Sequence, residues 1–177
     1  MKKLFALLAA FVAAFAFAQD VDALDPSGQE IVFWHQHTNE RVGALDEIVA
    51  AFNAENPWGI TVTHEYQGGY GDIFQKMLPI LGTSSTPNLV VGYQNQAATY
   101  AVADGVVDLA PYVNSEVYGL TDAEKADFFP GFYNADIFPS FDDARFGFPP
   151  NRSMEVMYYN VEWLAELAAA GAISFDG

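Results

Sequence analysis

The chain has 177 residues, of which 51% are hydrophobic and 15% aromatic, a composition that supports a sizeable core. Its 23 acidic residues outnumber its 7 basic residues, which gives a formal net charge of -16. Such a field repels nucleic acid and anionic lipid, and the absence of cysteine excludes disulfide bonds and thiolate metal sites.

The first 18 residues have the three parts of a cleavable signal peptide. Lys2 and Lys3 give a positively charged start, residues 4–15 are an uninterrupted apolar stretch, and Ala16-Phe17-Ala18 places small residues at a cleavage site. The apolar stretch is too short to span a bilayer core of roughly 30 Å comfortably, and no stop-transfer flank follows it. No cysteine follows the small residues, so a lipid anchor is not expected. We therefore predict an exported, periplasmic protein.

Strands and helices alternate after a polar, flexible lead-in at residues 19–28. Apolar runs and alternating patterns predict the strands, and apolar residues repeating every 3.6 positions predict the helices. In chain order the predicted elements are a strand at 31–34, a helix capped by Asn39 and ended by residues 56–59, a strand at 60–66, a helix at about 72–81, a strand at 89–93 and a helix at 96–103. This alternation predicts an α/β fold with a parallel sheet and crossover helices.

The second half of the chain has a less regular pattern. Thr121 and Glu124 have the spacing of a capping box and predict the start of a helix. The remaining predicted elements are a loop around Asp142-Asp143, a short strand at 145–148, a strand at 154–159 and a helix capped by Asn160.

Aromatic and hydrogen-bonding side chains coincide where the three predicted parallel strands end. Ligands of open parallel sheets bind beyond the carboxyl ends of the strands. A sugar or polyol suits this combination, because its C–H faces stack on rings while its hydroxyls bond to amides and carboxylates. For any single ring, and for Trp34 in particular, the alternative is ordinary core packing. The candidate ligand-binding residues at these ends are Trp34, His35, Tyr70, Tyr93, Gln94 and Asn95.

Arg152 stands out because the chain has only three arginines. It lies beside Ser153 in the segment Pro149-Pro150-Asn151-Arg152-Ser153, between two predicted strands. A rigid polar crossing of this kind can present Arg152 and Ser153 to an anion or a hydroxyl. The alternative is a surface loop with a salt bridge to one of the many acids.

The three histidines suggest a metal site as one alternative. His35 and His37 form an H-x-H pair, and His64 is the only histidine that can add a third nitrogen. A metal-binding receptor that uses these three residues therefore stays open at this point, although no metal or other cofactor is expected.

A second alternative is a secreted carbohydrate-active enzyme. It requires two carboxylates at a defined separation, for which Asp142, Asp143 and Glu155 are candidates. Acids this abundant usually lie on the solvated surface, and the chain has no G-x-S-x-G nucleophile motif. We therefore predict no catalytic residues.

Five stretches, taken in order, resemble the family 1 extracellular solute-binding proteins of ABC importers, particularly the glycerol-3-phosphate and sugar-binding branch. These stretches are 31–35, 52–57 with 60–62, 67–70, 106–109, and 150–153 leading to 158–160. The resemblance implies a non-catalytic, periplasmic-binding-protein-like fold of type II, with two α/β lobes around a cleft. It also implies two partners: a small-molecule solute and an ABC permease in the inner membrane. The receptor itself is expected to be a monomer.

The same resemblance implies a division of the chain into lobes. Residues 29–150 would be the first lobe, incomplete here, and residues 151–177 the lobe crossing and the start of the second lobe. The chain would then be the N-terminal fragment of a longer receptor, and we expect such a fragment to fold poorly and to bind ligand weakly. Family members also use residues from later in the chain, including an arginine for phosphate.

Three positions match residues that contact the ligand in this family. Tyr70 resembles the tyrosine that contacts the ligand from the first lobe, and Ser153 resembles the serine that follows the lobe crossing. Gln94 stands where the glycerol-phosphate receptors carry a glutamate, and this change removes a charged acceptor. The resemblance therefore implies capture of a sugar or polyol, with glycerol 3-phosphate left open.

Overall fold

The computed structural model describes residues 20–149, 151–153 and 156–174. The predicted signal peptide at residues 1–18 lies outside the described residues. Within the described ranges, no helix is both long and apolar enough to cross a membrane.

Helices and strands alternate in the first half of the described chain, and short elements dominate the second half. In chain order they are β1 (Glu30–His35), α1 (Glu40–Glu55), β2 (Thr61–Tyr66), α2 (Tyr70–Met77), β3 (Leu89–Val90), α3 (Gln94–Val102), α4 (Ala110–Val113), α5 (Asp122–Asp127), α6 (Pro130–Tyr133), β4 (Ile137–Phe138), β5 (Ala144–Arg145) and α7 (Val161–Ala169). Short 3-10 turns lie at Val21–Ala23, Asn134–Asp136 and Pro139–Phe141.

The first three strands form a parallel sheet in the order β2-β1-β3. β1 pairs with β2 along its whole length, from Glu30 opposite Thr61 to His35 opposite Tyr66. On its other side, β1 pairs with the short strand β3. Parallel neighbours need a crossover connection, which α1 and α2 provide. The predicted α/β fold with a parallel sheet is confirmed, and the residues that follow the three strands meet at one edge of the sheet.

A small core lies between α2, α3 and the sheet. Ile73, Met77 and Tyr100 are at most 2% exposed and form its centre. Ile73 and Met77 are four residues apart and therefore share one face of α2. Burial raises the pKa of Tyr100 to about 12, so its hydroxyl is neutral at physiological pH. Partly buried apolar residues pack against this centre: Trp34, Phe74, Ile80, Leu81, Val90, Val91 and Val106.

Two helices begin earlier than their apolar patterns predict. α2 begins at Tyr70, because the Asp72 carboxylate accepts a hydrogen bond of 2.8 Å from the Gly69 N–H. α3 begins at Gln94, because the Gln96 side chain accepts a bond of 2.8 Å from the Tyr93 N–H. Asn39 precedes α1 as predicted, but its side chain makes no capping hydrogen bond. Polar side chains in the first turn thus set these starts.

The C-terminal half contains one antiparallel hairpin, in which β4 pairs with β5. Asp142 and Asp143 lie in its loop with φ of 55° and 58°, as the predicted loop requires. The predicted strand at 145–148 is placed at 144–145 instead. The predicted strand at 154–159 is wrong for residues 156–159, which pair with no strand in the described chain. Residues 154 and 155 lie outside the described residues.

The predicted starts of two helices in this half are confirmed. Thr121 and Glu124 form the capping box at the start of α5, and hydrogen bonds from Thr121 hold the pKa of Glu124 below its usual value. Asn160 caps α7, where its Oδ1 accepts from the N–H groups of Glu162 and Trp163. These short polar motifs encode helix starts locally, so the sequence reveals them.

Two asparagines at the end of α1 bind the backbone of the following strand. Asn53 donates to the Val62 carbonyl at 2.9 Å and accepts from the Val62 N–H at 2.8 Å. Asn56 bonds in the same way to both backbone groups of Ile60, at 2.9 and 2.8 Å. These contacts lie on the side of β2 that faces away from β1, and we call them the asparagine clasp.

Replacing Asn53 by alanine is expected to lower the free energy of unfolding by about 1–2 kcal/mol, because two hydrogen bonds to Val62 are lost. Urea unfolding of the two proteins measures this difference. Asn95→Ala is the control, since Asn95 is exposed on α3. Equal losses in the two variants would show that the clasp contributes nothing to stability.

Candidate functional site

One glutamine and two tyrosines from different strand ends meet at the carboxyl edge of the sheet. Gln36 follows β1, Tyr70 follows β2 as the first residue of α2, and Tyr93 follows β3. The rings of Tyr70 and Tyr93 lie 4.4 Å apart between centroids, with 30° between their planes. Gln36 donates from Nε2 to the Tyr70 hydroxyl at 2.8 Å. We call these three residues the strand-end cluster.

Gln96 holds the two tyrosines of the strand-end cluster in place. It is buried, and its Nε2 donates to the Tyr70 carbonyl at 3.1 Å. Its Oε1 accepts from the Tyr93 N–H at 2.8 Å. One side chain therefore ties the start of α2 to the start of α3 and fixes the ring pair without touching either ring.

The Tyr70 hydroxyl stays protonated at physiological pH. Burial and the adjacent Tyr93 raise the pKa of Tyr70, whereas the positive charges of Arg152 and Arg41 and the hydrogen bond from Gln36 oppose the rise. Because the hydroxyl oxygen already accepts from Gln36, its proton is available as a donor to a bound group.

Arg152 adds a buried donor near Tyr70. Its Nη2 forms an ion pair with the carboxylate of Asp136, a residue only 7% exposed. Its Nε is buried and has no hydrogen-bond partner among the described residues, and the same holds for Oε1 of Gln36. An unmet buried polar atom costs about 1–3 kcal/mol. Both atoms are shielded from solvent in the described structure, so a ligand hydroxyl can reach them only if the surrounding side chains move apart.

The buried side chain of His35 belongs to a hydrogen-bonded chain and does not face the strand-end cluster as a donor. Asp46 lies 3.0 Å from Nε2 of His64, and Nδ1 of His64 lies 3.1 Å from Nε2 of His35. Nδ1 of His35 accepts from the backbone N–H of His37 at 3.1 Å. These partners fix one arrangement of protons, in which His35 donates to His64 and His64 donates to Asp46. Both ring nitrogens of His35 are therefore used within the protein.

The structure does not support the metal-binding alternative. His64 was to add the third nitrogen to the His35 and His37 pair, but its Nδ1 is bonded to His35 and its Nε2 to Asp46. Nowhere in the described ranges do three histidine or carboxylate side chains form a group that could hold a metal ion. His35 accepts a hydrogen bond from the backbone N–H of His37, a contact that does not depend on the side chain of residue 37.

The stability of the protein is expected to fall as the pH is lowered below about 6.5, the ordinary pKa of histidine. Burial, followed by the nearby His64 and His37, lowers the pKa of His35, and Asp46 opposes this only weakly. The unfolded chain therefore takes up a proton that the folded chain refuses, so acid favours unfolding. Urea unfolding at about pH 7.5 and about pH 5.5 measures the loss.

The variant His35→Gln should reduce this pH dependence, because the buried imidazole is removed. His37→Gln is the control that keeps the chain of Asp46, His64 and His35 intact, and it should retain most of the dependence. An unchanged slope in His35→Gln would assign the effect to another group.

The remaining predicted site residues differ in burial and in what they contact. Trp34 is half-buried and packs against the core. Gln94 is half-buried and Asn95 exposed in the first turn of α3, and Ser153 is exposed beside Arg152. The structure thus brings Tyr70 and Tyr93 together, places Arg152 where its charge lowers the pKa of Tyr70 against the effect of burial, and assigns Trp34 to packing.

Sequence reasoning missed three residues of this region: Gln36, Gln96 and Asp136. Gln96 follows Tyr93 at the three-residue spacing of a capping box, and this signal could have identified it. Gln36 lies between His35 and His37, and the H-x-H pattern indicates a role for the two histidines rather than for the residue between them. Asp136 had no local signal, since its partner Arg152 is 16 residues away.

The sequence profile of one protein family, described as bacterial extracellular solute-binding protein, matches residues 47–175. This span covers more than half of the chain and includes Tyr70, Tyr93 and Arg152. No curated protein matches the chain.

Proposed function

We propose that this chain, which belongs to the bacterial extracellular solute-binding protein family, captures a neutral sugar or polyol for an ABC importer. The family is non-enzymatic, and its members bind small-molecule solutes and deliver them to membrane permeases. This membership removes the alternative of a secreted carbohydrate-active enzyme. Two of its three candidate carboxylates, Asp142 and Asp143, lie exposed in the hairpin loop, and the third, Glu155, lies outside the described residues.

The strand-end cluster is the observation that carries the proposal. The paired rings of Tyr70 and Tyr93, tilted by 30° to each other, offer an apolar face to the C–H groups of a sugar. Beside them, the Tyr70 hydroxyl can donate, and the buried Oε1 of Gln36 can accept once side-chain movement exposes it. Each sugar hydroxyl both donates and accepts, so a pair of adjacent hydroxyls matches this mixed set. Gln94, Asn95 and Ser153 lie in the neighbouring turns and extend the polar rim.

The charges around Arg152 favour a neutral solute over glycerol 3-phosphate. A phosphate dianion is bound by cations that keep their positive charge available. Here the Asp136 carboxylate already pairs with Arg152, and Gln94 is uncharged. The described site therefore offers hydrogen bonds rather than net positive charge.

The cellular location of the protein and the division of the chain into lobes are part of the same proposal. The leader supports export to the periplasm without a lipid anchor, and N-terminal sequencing of the exported protein tests it, with Gln19 expected as the first residue. The proposed lobe boundaries are residues 29–150 and 151–177, and the family match over residues 47–175 extends across this division. Closure of two lobes on the solute would be the signal that the permease reads.

A thermal-shift screen tests the proposed solute class. The probes are glucose, maltose, sorbitol, glycerol and glycerol 3-phosphate, each added to the purified chain. A ligand that binds only the folded state raises the melting temperature by mass action. We expect a neutral sugar or polyol to give the largest shift and glycerol 3-phosphate a smaller one. A shift with glycerol 3-phosphate alone would contradict the proposal, and so would the absence of a shift with every probe.

A further inference from the structure

A cavity lies away from the strand-end cluster, between α4, α5, α6 and the β4–β5 hairpin. Its volume is about 560 Å³, within the range of small-molecule sites. Two cations, Lys125 and Arg145, line it together with the amides of Asn114 and Asn134 and the carboxylate of Asp143. None of these residues takes part in the strand-end cluster.

The guanidinium of Arg145 is buried against neutral groups. The residue is 4% exposed, its Nη1 donates to the Tyr133 carbonyl at 2.7 Å, and its Cζ lies 4.4 Å from the centre of the Tyr133 ring. Asp108 accepts from the backbone N–H of Arg145. Within the described part of the chain, the guanidinium forms no ion pair with a carboxylate. A buried cation without an anionic partner is unfavourable, so this position favours an anion.

Lys125 supplies a second cation on the same cavity wall. Its Nζ donates to Oδ1 of Asn114 at 3.0 Å, and it too forms no ion pair with the carboxylates of the described ranges. Two of the seven bases, Lys2 and Lys3, lie in the leader, so this cavity holds two of the other five. The cavity lining therefore carries two cations and one carboxylate, Asp143, while the Asp108 carboxylate lies beside Arg145 and bonds its backbone N–H.

We propose that this cavity binds a small hydroxycarboxylate. Its carboxylate group would accept hydrogen bonds from Arg145 and Lys125, which are charge-assisted and therefore strong. Asp143 on the cavity wall is an acceptor only, so it selects a solute that carries a hydroxyl donor. The same carboxylate repels a dianion such as phosphate, which sets the preference for a single negative charge.

Titration of the purified chain with lactate, propionate and phosphate tests this site by calorimetry and by NMR shifts of the cavity residues. We expect saturable binding in the order lactate, propionate, phosphate. Lys125→Gln should weaken lactate binding by about tenfold, because one charge-assisted hydrogen bond is lost. Lys76→Gln is the matched control: it removes the same charge from α2, where Lys76 bonds to Gln67, and should leave lactate binding unchanged.

The variant Asp143→Asn tests the contribution of the Asp143 carboxylate to ligand selectivity. Asparagine tolerates the positive φ of this position, so the loop is expected to keep its conformation. The change should reduce the preference for lactate over propionate and strengthen phosphate binding. Tyr70→Ala should leave lactate binding intact, which keeps this test independent of the strand-end cluster. Absence of saturable lactate binding, or equal effects of Lys125→Gln and Lys76→Gln, would overturn the proposal.

Discussion

Replacing Tyr70 by alanine is expected to weaken binding of the solute by about 100-fold, as measured calorimetrically with the sugar or polyol that gives the largest thermal shift. The substitution removes a stacking ring and a hydroxyl donor at once, and the two contributions together correspond to roughly 2–3 kcal/mol. The alanine variant loses the Tyr70 ring from the pair with Tyr93 and loses the Tyr70 hydroxyl that Gln36 orients, so the Tyr93 ring remains alone in the strand-end cluster.

Two further variants show whether the loss of binding in Tyr70→Ala comes from the strand-end cluster. Tyr70→Phe keeps the ring and should weaken binding by only about tenfold, the value of one hydrogen bond. Tyr112→Ala removes an exposed ring from α4 and should leave binding unchanged. If Tyr70→Ala and Tyr112→Ala behave alike, the solute is bound elsewhere. Melting temperatures of all three variants separate lost binding from lost folding.

Replacing Ile73 by alanine is expected to lower the free energy of unfolding by about 3 kcal/mol. Ile73 is fully buried, and large-to-small changes at such positions remove apolar contacts and leave a cavity. Its neighbours Phe74 and Tyr100 are held as a ring pair 5.6 Å apart, which limits collapse into the space. Urea unfolding, followed by far-UV circular dichroism, measures the loss.

Ile48 provides the matched control for the core. It lies on α1 and is 66% exposed, so Ile48→Ala should change stability by no more than about 0.5 kcal/mol. Comparable losses at both positions would mean that the core does not lie where Ile73 and Tyr100 meet.

The sequence predicts the parallel part of the fold well, because its signals are local. The apolar run of β1, the alternation of β2 and the periodic pattern of α1 give these elements within one residue at most ends. β3 is shorter than its apolar run suggests, since the backbone turns where Tyr93 bonds to Gln96. Residues 156–159 have an apolar pattern but form no strand, because a strand also needs a neighbour.

The candidate site was predictable in its rings but not in its hydrogen bonds. Tyr70 and Tyr93 follow strand ends, and that position alone identifies them. The partner of Tyr70, Gln36, is 34 residues distant, and no local pattern encodes such a contact. His35 shows the opposite error: a pattern that suggests a metal ligand belongs to a side chain whose nitrogens are both bonded inside the protein.

The asparagine clasp affects how molecules of the protein associate with one another. β2 is an edge strand of the described sheet. An uncovered edge strand would offer its unpaired backbone N–H and C=O groups to a strand of a second molecule. The side chains of Asn53 and Asn56 occupy the outward backbone groups of Val62 and Ile60, which an incoming strand would need. We therefore expect the clasp to disfavour pairing of a second molecule's strand with the first half of this edge.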